Sequence, residues 1–230
     1  MNTQLFDAYF SQLFPPDRIA EPTPMFNDPF VRSYFDPAFV VPGMSSVKVQ
    51  KLLNLAHHFV EEGECYVEVG CFVGKTLISA MANNPRRMTY ACDNFSEFSD
   101  TPEKTRDALF RHLEMFGLAR AVTFFECDFR DIMNREKIPE PIGVYFYDGG
   151  HAEQDQYDAI VLAEPLLADE ALVIVDDWNM PAVPQGTMRA IEASENQWDT
   201  MHVLPAGEDP QGDPTMWWDG LGVFRFRRRV

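Results

Sequence analysis

Five short apolar segments, each carrying or closing on a carboxylate and separated by helix-patterned stretches, limit the architectures open to this chain. They are residues 66–69 with Glu68, 88–92 with Asp93, 122–127 with Asp128, 143–147 with Asp148, and 171–175 with Asp176 and Asp177. Apolar runs of this length bounded by turn residues read as buried strands. The intervening stretches repeat at helical spacing. Ser46 caps a helix with Val49, Leu52, Leu53, Ala56 and Val60 on one face, ended by Gly63. Thr101-Pro102 opens another, with Leu109, Leu113 and Phe116 inward and Gly117 as its stop. A third spans 153–164 with Tyr157, Ile160 and Val161 inward, and His57 and His58 are expected on the solvated side of the first. Strands alternating with helices predict a parallel sheet covered on both faces. Ligands of such sheets bind beyond the carboxyl ends of the strands. Any one acid there could simply cap a helix, but five on one rim describe an acidic crevice suited to hydroxyl-rich, cationic or metal-bound ligands.

The first strand runs into Gly70-Cys71-Phe72-Val73-Gly74-Lys75-Thr76, and 76–81 continues as helix. Two glycines let the backbone turn tightly and aim helix N–H groups into a crevice. The tail differs from the alternating part. A helix over 187–195, a strand over 198–204, a polar loop with Gly207, Gly212 and Pro214, and a last strand over 220–226 predict a closing antiparallel pair. In that loop Met216, Trp217 and Trp218 either face a pocket or cover the sheet edge.

Composition narrows the partners. With 230 residues and 46% hydrophobic content, one large core with an appendage is expected. A formal charge of −17 disfavours nucleic acid and anionic membranes, and the basic run Arg225, Arg227, Arg228 and Arg229 reads as the solvated end of a strand. No apolar run suits a membrane span and the start lacks the form of a signal peptide, so a cytoplasmic protein is expected. Cys65, Cys71, Cys92 and Cys127 lack metal-ligand spacing and read as small buried hydrophobes. Residues 1–43 form an arm rich in Phe, Tyr and Pro, with a helical pattern only over 5–14, ahead of a main domain at 44–230. Its aromatics, from Phe6, Tyr9, Phe10 and Phe14 to Phe26, Phe30, Tyr34, Phe35 and Phe39, either pack on the core or build a lid or a homodimer contact.

Glu68-x-Gly70-x-x-x-Gly74-x-Thr76, with Asp93 after the second strand and Asp128 after the third, resembles the class I S-adenosylmethionine-dependent methyltransferases over residues 45–226. The resemblance implies a Rossmann-like, mostly parallel α/β sheet of seven strands in the order 3-2-1-4-5-7-6, strand 7 antiparallel, with helices on both faces. It further implies that Gly70 and Gly74 line the methionine part of S-adenosylmethionine, that Asp93 holds the ribose, and that Asp128 meets the adenine amino group. Glu68 either closes the pocket near the sulfonium or braces the turn, and Phe72, Thr76, Asn94 and Phe129 lie in the same cofactor-lining stretches. Phe72 stands where a middle glycine is usual. That glycine serves a pyrophosphate, which S-adenosylmethionine lacks, so Phe72 argues against NAD more than against this cofactor.

Phe72 also resembles the small-molecule O-methyltransferase branch, as do Tyr147-Asp148-Gly149-Gly150-His151 and Val175-Asp176-Asp177-Trp178-Asn179, whose acids lie 28 residues apart. In catechol-type and sugar O-methyltransferases these two segments hold Mg²⁺, which implies Asp148, Asp176 and Asp177 as ligands, although many relatives carry such acids without metal. His151 falls where those relatives place a base, so Asp148 and His151 are the catalytic candidates; a capping or solvated histidine is the plain alternative. The expected function is methyl transfer to an oxygen of a small-molecule acceptor. The competing readings are an NAD(P)-binding Rossmann oxidoreductase and a non-catalytic module on the methyltransferase fold.

Overall fold

A computed structural model of the chain describes residues 1–22, 41–84, 86–97, 101–209, 213 and 215–229. In order, the elements are α1 (Thr3–Leu13), α2 (Val47–His58), β1 (Cys65–Val69), α3 (Lys75–Met81), β2 (Met88–Cys92), α4 (Pro102–Met115), β3 (Val122–Phe125), β4 (Ile142–Tyr147), α5 (Glu153–Ala163), β5 (Leu167–Val175), α6 (Ala182–Ala193), β6 (Gln197–Leu204) and β7 (Leu221–Arg227). The seven strands form one sheet in the order β3-β2-β1-β4-β5-β7-β6. β1 to β5 pair in parallel, while β7 runs antiparallel to both β5 and β6. This is the expected fold, closing pair included.

Alternation along the strands separates two cores. Tyr66, Phe146, Leu172, Ile174 and Val223 point to the face covered by α1, α2, α3 and α4. Val67, Tyr145, Tyr147 and Val173 point to the other, where Ile160 and Ala163 of α5 and Ala190 of α6 cover them. Both faces of the central strands are thus dry, which is why they read as nearly continuous apolar runs. Each large side chain removed from water there contributes about 1.5–3 kcal/mol.

α2 departs from the amphipathic expectation. Ser46 does cap it, accepting from the Val49 N–H, but Val47 to His57 are all buried. His57 is only 1% exposed, not solvated as expected; its ring packs at a tilt against Tyr66 and reaches the Thr89 hydroxyl, while His58 is exposed. The polar side chains on this helix find partners remote in sequence: Lys48 Nζ donates to the carbonyls of Ile19 and Glu21, and Asn54 Nδ2 donates to those of Ser79, Ala80 and Ala82.

Smaller differences have similar causes. Val161 is 40% exposed, because Gln156, Ala159 and Ile160 make the inward face of α5. Phe116 is half-buried, and Thr101 starts α4 without a side-chain cap. α6 begins five residues earlier than the apolar pattern suggests, at Ala182. Arg225 and Arg227 both bind Asp199 across the β6–β7 pair, and Arg228 pairs with Asp169.

The helical pattern over 5–14 forms α1, whose Phe6, Phe10 and Phe14 enter the first core beside Trp217. Of the arm's other aromatics, Phe26, Phe30, Tyr34, Phe35 and Phe39 lie outside the described residues, as do Gly212 and Pro214 of the tail loop. Cys65, Cys71 and Cys92 are buried free thiols and Cys127 is half-buried. No helix among the described residues is long and apolar enough to cross a membrane.

Candidate active site

The carboxyl ends of β1 to β5 open into a cavity of about 340 Å³, within the size range of small-ligand sites. Its wall is built from the turn after β1, from the loops after β2, β3, β4 and β5, from Gly43 and Met44, and from Trp218 and Asp219. Gly70, Phe72, Thr76, Asp93, Asn94, Asp128, Phe129, Asp148, His151, Asp176 and Asp177 all line it; Glu68 and Gly74 do not.

The turn after β1 is held from both sides. Gly70, at φ +81°, lies so close to the next strand end that a Cβ would sit 1.7 Å from the Asp148 carbonyl oxygen. Phe72 takes φ +44°, the left-handed conformation that a glycine adopts without strain. What fixes it there is Asp93, whose carboxylate accepts the N–H of Phe72 and that of Phe95, each at 2.7 Å. Burial still pushes the Asp93 carboxyl up against these bonds. Behind the turn Glu68 is fully buried and accepts from the hydroxyls of Tyr66 and Thr76, both at 2.7 Å. Glu68 thus contacts the turn through Thr76 and does not line the cavity. Burial outweighs those hydrogen bonds and raises its pKa to about 7.

At the β3 end, Asp128 Oδ1 accepts the Arg130 N–H at 2.9 Å and opens a short helical turn, Phe129–Asp131. The Arg130 guanidinium reaches Asp128, Asp155 and Asp158, at 3.3, 2.6 and 2.9 Å, with its plane over Phe129. One arginine thus ties the loop after β3 to the first turn of α5.

The ends of β4 and β5 gather acids. Asp148, His151 and Asp177 bring ligand-capable atoms within 4.8 Å of one another, and His151 Nε2 lies 2.6 Å from Asp177 Oδ2. The sequence expectation grouped Asp148, Asp176 and Asp177. In the fold the histidine joins the cluster, whereas Asp176, buried but also lining the cavity, accepts the Asp177 N–H at 3.0 Å. Desolvation, then repulsion from neighbouring acids, push Asp148 and Asp176 well above the usual carboxylate range. Its bond to Asp177 raises His151, against the opposing effect of burial. Asp177 and Trp218 both have positive φ, near +55°, so strained backbone recurs around the cavity.

Several lining residues escape a strand-end reading. Asp219 precedes β7, and because β7 is antiparallel its start lies on the same rim as the ends of the parallel strands. Position relative to an antiparallel strand was the signal available. Lys75, Arg130 and Asp155 belong to helical stretches and carry no such mark. The two tryptophans divide the roles left open for them: Trp217 is fully buried against Phe10 and Phe14, whereas Trp218 lines the cavity. Of the loop beyond Asn94, residues 98–100 lie outside the described part.

Residues 67–178 match the model of a family described as "Methyltransferase domain". No curated protein matches the chain. Among solved structures, similar folds include a candidate O-methyltransferase from Klebsiella pneumoniae, at 14% identity over 98% of this chain and 97% of that one, TM-score 0.61. Another is the O-methyltransferase TomG from Streptomyces achromogenes, involved in tomaymycin synthesis and solved with S-adenosylmethionine, at 18% identity over the whole of both chains, TM-score 0.58. A third is the Bacillus cereus O-methyltransferase solved with S-adenosylhomocysteine, at 14% identity over 97% of each chain, TM-score 0.57. At these identities the likeness is one of fold. Residues 67–178 thus match a methyltransferase-domain model, and the sheet, in the order β3-β2-β1-β4-β5-β7-β6, has the fold of the class I S-adenosylmethionine-dependent methyltransferases.

Proposed function

We propose that the chain transfers the methyl group of S-adenosylmethionine to an oxygen of a small-molecule acceptor, assisted by a divalent cation. The carrying observation is the meeting of Asp148, His151 and Asp177 at the rim directly beside the Gly70 turn. Cofactor and acceptor would then share one cavity. Asp93 and Asp128 would face the ribose and the adenine, and the carbonyl side of the Gly70 turn would approach the sulfonium without an intervening side chain. The names of the similar solved structures, O-methyltransferases from three bacteria, support oxygen as the acceptor atom.

The donor set fits a divalent ion. Two carboxylates and an imidazole converge where burial, and then repulsion among the acids, already raise Asp148 and Asp176, and a cation would relieve that repulsion. Asp148, Asp177 and His151 would hold it, with Asp176 close by in the same cavity. An ion there would lower the pKa of an acceptor hydroxyl and fix its position. An imidazole beside two carboxylates suits Mn²⁺ better than Mg²⁺, which takes oxygen donors. A second reading keeps His151 as the base: its 2.6 Å contact with Asp177 would orient the ring to receive the hydroxyl proton.

Thermal-shift titration tests the cofactor first. S-adenosylhomocysteine at about 100 Kd should stabilise the fold by about 2.7 kcal/mol, and NADH should not; the reverse result would sink the assignment. Activity against a panel of catechols and sugar hydroxyls then tests the metal. Chelator should abolish it, Mn²⁺ or Mg²⁺ should restore it, and the Asp148→Asn variant should need far more metal.

A further inference from the structure

Lys75 is a cavity residue that the reading above leaves unused. Eight carboxylates line the cavity, against the three basic side chains Lys75, Arg130 and His151. Arg130 is committed to Asp128, Asp155 and Asp158, and His151 to Asp177. Lys75 has no such commitment. Among the described residues, its ammonium has one hydrogen-bond partner, the Gly43 carbonyl, at a long 3.4 Å.

The side chain is also placed. A Cβ on Gly43 would lie 2.9 Å from Lys75 Cβ, so the lysine stem packs flat on the Gly43 backbone. Burial lowers its pKa, the mark of a partly desolvated charge without a counter-ion close by. Lys75 opens α3 directly after the turn of Gly70 to Gly74 that follows β1, whereas Asp128 and Arg130 follow β3, two strands away in the sheet.

S-adenosylmethionine carries a sulfonium, an ammonium and one carboxylate. The acids of the wall suit the first two, and repel the third. If Asp93 and Asp128, after β2 and β3, face the ribose and the adenine as proposed above, the amino-acid end would fall at the β1 turn. We propose that Lys75 is the specificity-determining residue for this carboxylate, holding it by a charge-assisted hydrogen bond that replaces the weak contact with Gly43. The inference rests on the cofactor reading above and adds the recognition of one functional group.

The test compares two ligands by titration calorimetry: S-adenosylhomocysteine and its decarboxylated analogue, 5′-deoxy-5′-(3-aminopropylthio)adenosine. The wild-type protein should bind the analogue at least tenfold more weakly. Lys75→Met, which keeps an apolar stem against Gly43, should weaken S-adenosylhomocysteine at least tenfold and leave the analogue within twofold, erasing the preference. Lys75→Arg should restore part of it. Equal weakening of both ligands by Lys75→Met, or weakening of neither, would overturn the assignment while leaving the cofactor reading intact. A wild-type protein that binds neither ligand would overturn both.

Discussion

At Gly70 a single carbon would collide with backbone, which no rotamer change can relieve. Gly70→Ala adds a left-handed φ for a non-glycine residue to that collision with the Asp148 carbonyl. We expect a loss of about 2–5 kcal/mol in urea unfolding, together with loss of S-adenosylhomocysteine binding. Gly63→Ala is the control: φ is also positive there, but nothing lies within 4 Å, so only about 1–2 kcal/mol should be lost. Equal losses would mean that the contact with Asp148 does not matter. Glu68 gives a pH signature of its own. Folded, it titrates at about 7; unfolded, at about 4.3. Between these values the folded chain keeps a proton that the unfolded chain has released. Stability from this residue is therefore greatest at low pH, declines by about 1.4 kcal/mol per unit as pH rises, and levels off above about 7. The wild type should lose stability relative to Glu68→Gln between pH 5 and 7 and run parallel to it beyond. Curves parallel throughout would show that Glu68 keeps an ordinary pKa. The pairing of Glu68 with Thr76 was half visible in the sequence, since both belong to one motif. Its depth was not, because the side chain that shields it, Tyr66, looks like any strand aromatic until the alternation of β1 is assigned to faces.

Among the elements, α2 shows where periodicity loses its hold. Its apolar positions Val49, Leu52, Leu53 and Ala56 are all in the core as read. The polar positions between them are buried too, because the C-terminal end of α3 and the turn after α1 supply their partners. Such partners lie 25 to 29 residues away, beyond any local pattern. Asn54 matters most here, since its amide nitrogen closes carbonyls at the end of a seven-residue helix. Asn54→Ala should cost about 1–3 kcal/mol, and hydrogen exchange should show α3 losing protection before the strands. If exchange rises uniformly, the amide is only one of many equal contacts. Strands are more legible than helices in the sequence where both of their faces are apolar, and β1 to β4 are each found to within a few residues. β5 is the exception: its first half, Leu167 to Glu170, contains charged residues and was not legible as strand.

For the whole molecule, the repeated strand-end acids made the rim readable before any distance was known. Asp93, Asp128, Asp148, Asp176 and Asp177 do share one cavity, because parallel strands put all their carboxyl ends on one side. What could not be read was the closing of that rim by segments distant in sequence: Gly43 and Met44 from one side, Trp218 and Asp219 from the other. The same long reach appears beneath the rim, where α1 docks. Its Asp7 bonds His202 across a separation of 195 residues, and its Phe10 stacks on the same histidine with a centroid distance of 4.2 Å. During synthesis, at about 5–20 residues per second, the helix therefore precedes its docking strand by roughly 10–40 seconds. Until β6 emerges, Phe6, Phe10 and Phe14 have no finished surface to cover, so the nascent chain is most exposed to misassociation while its acidic rim is still being made.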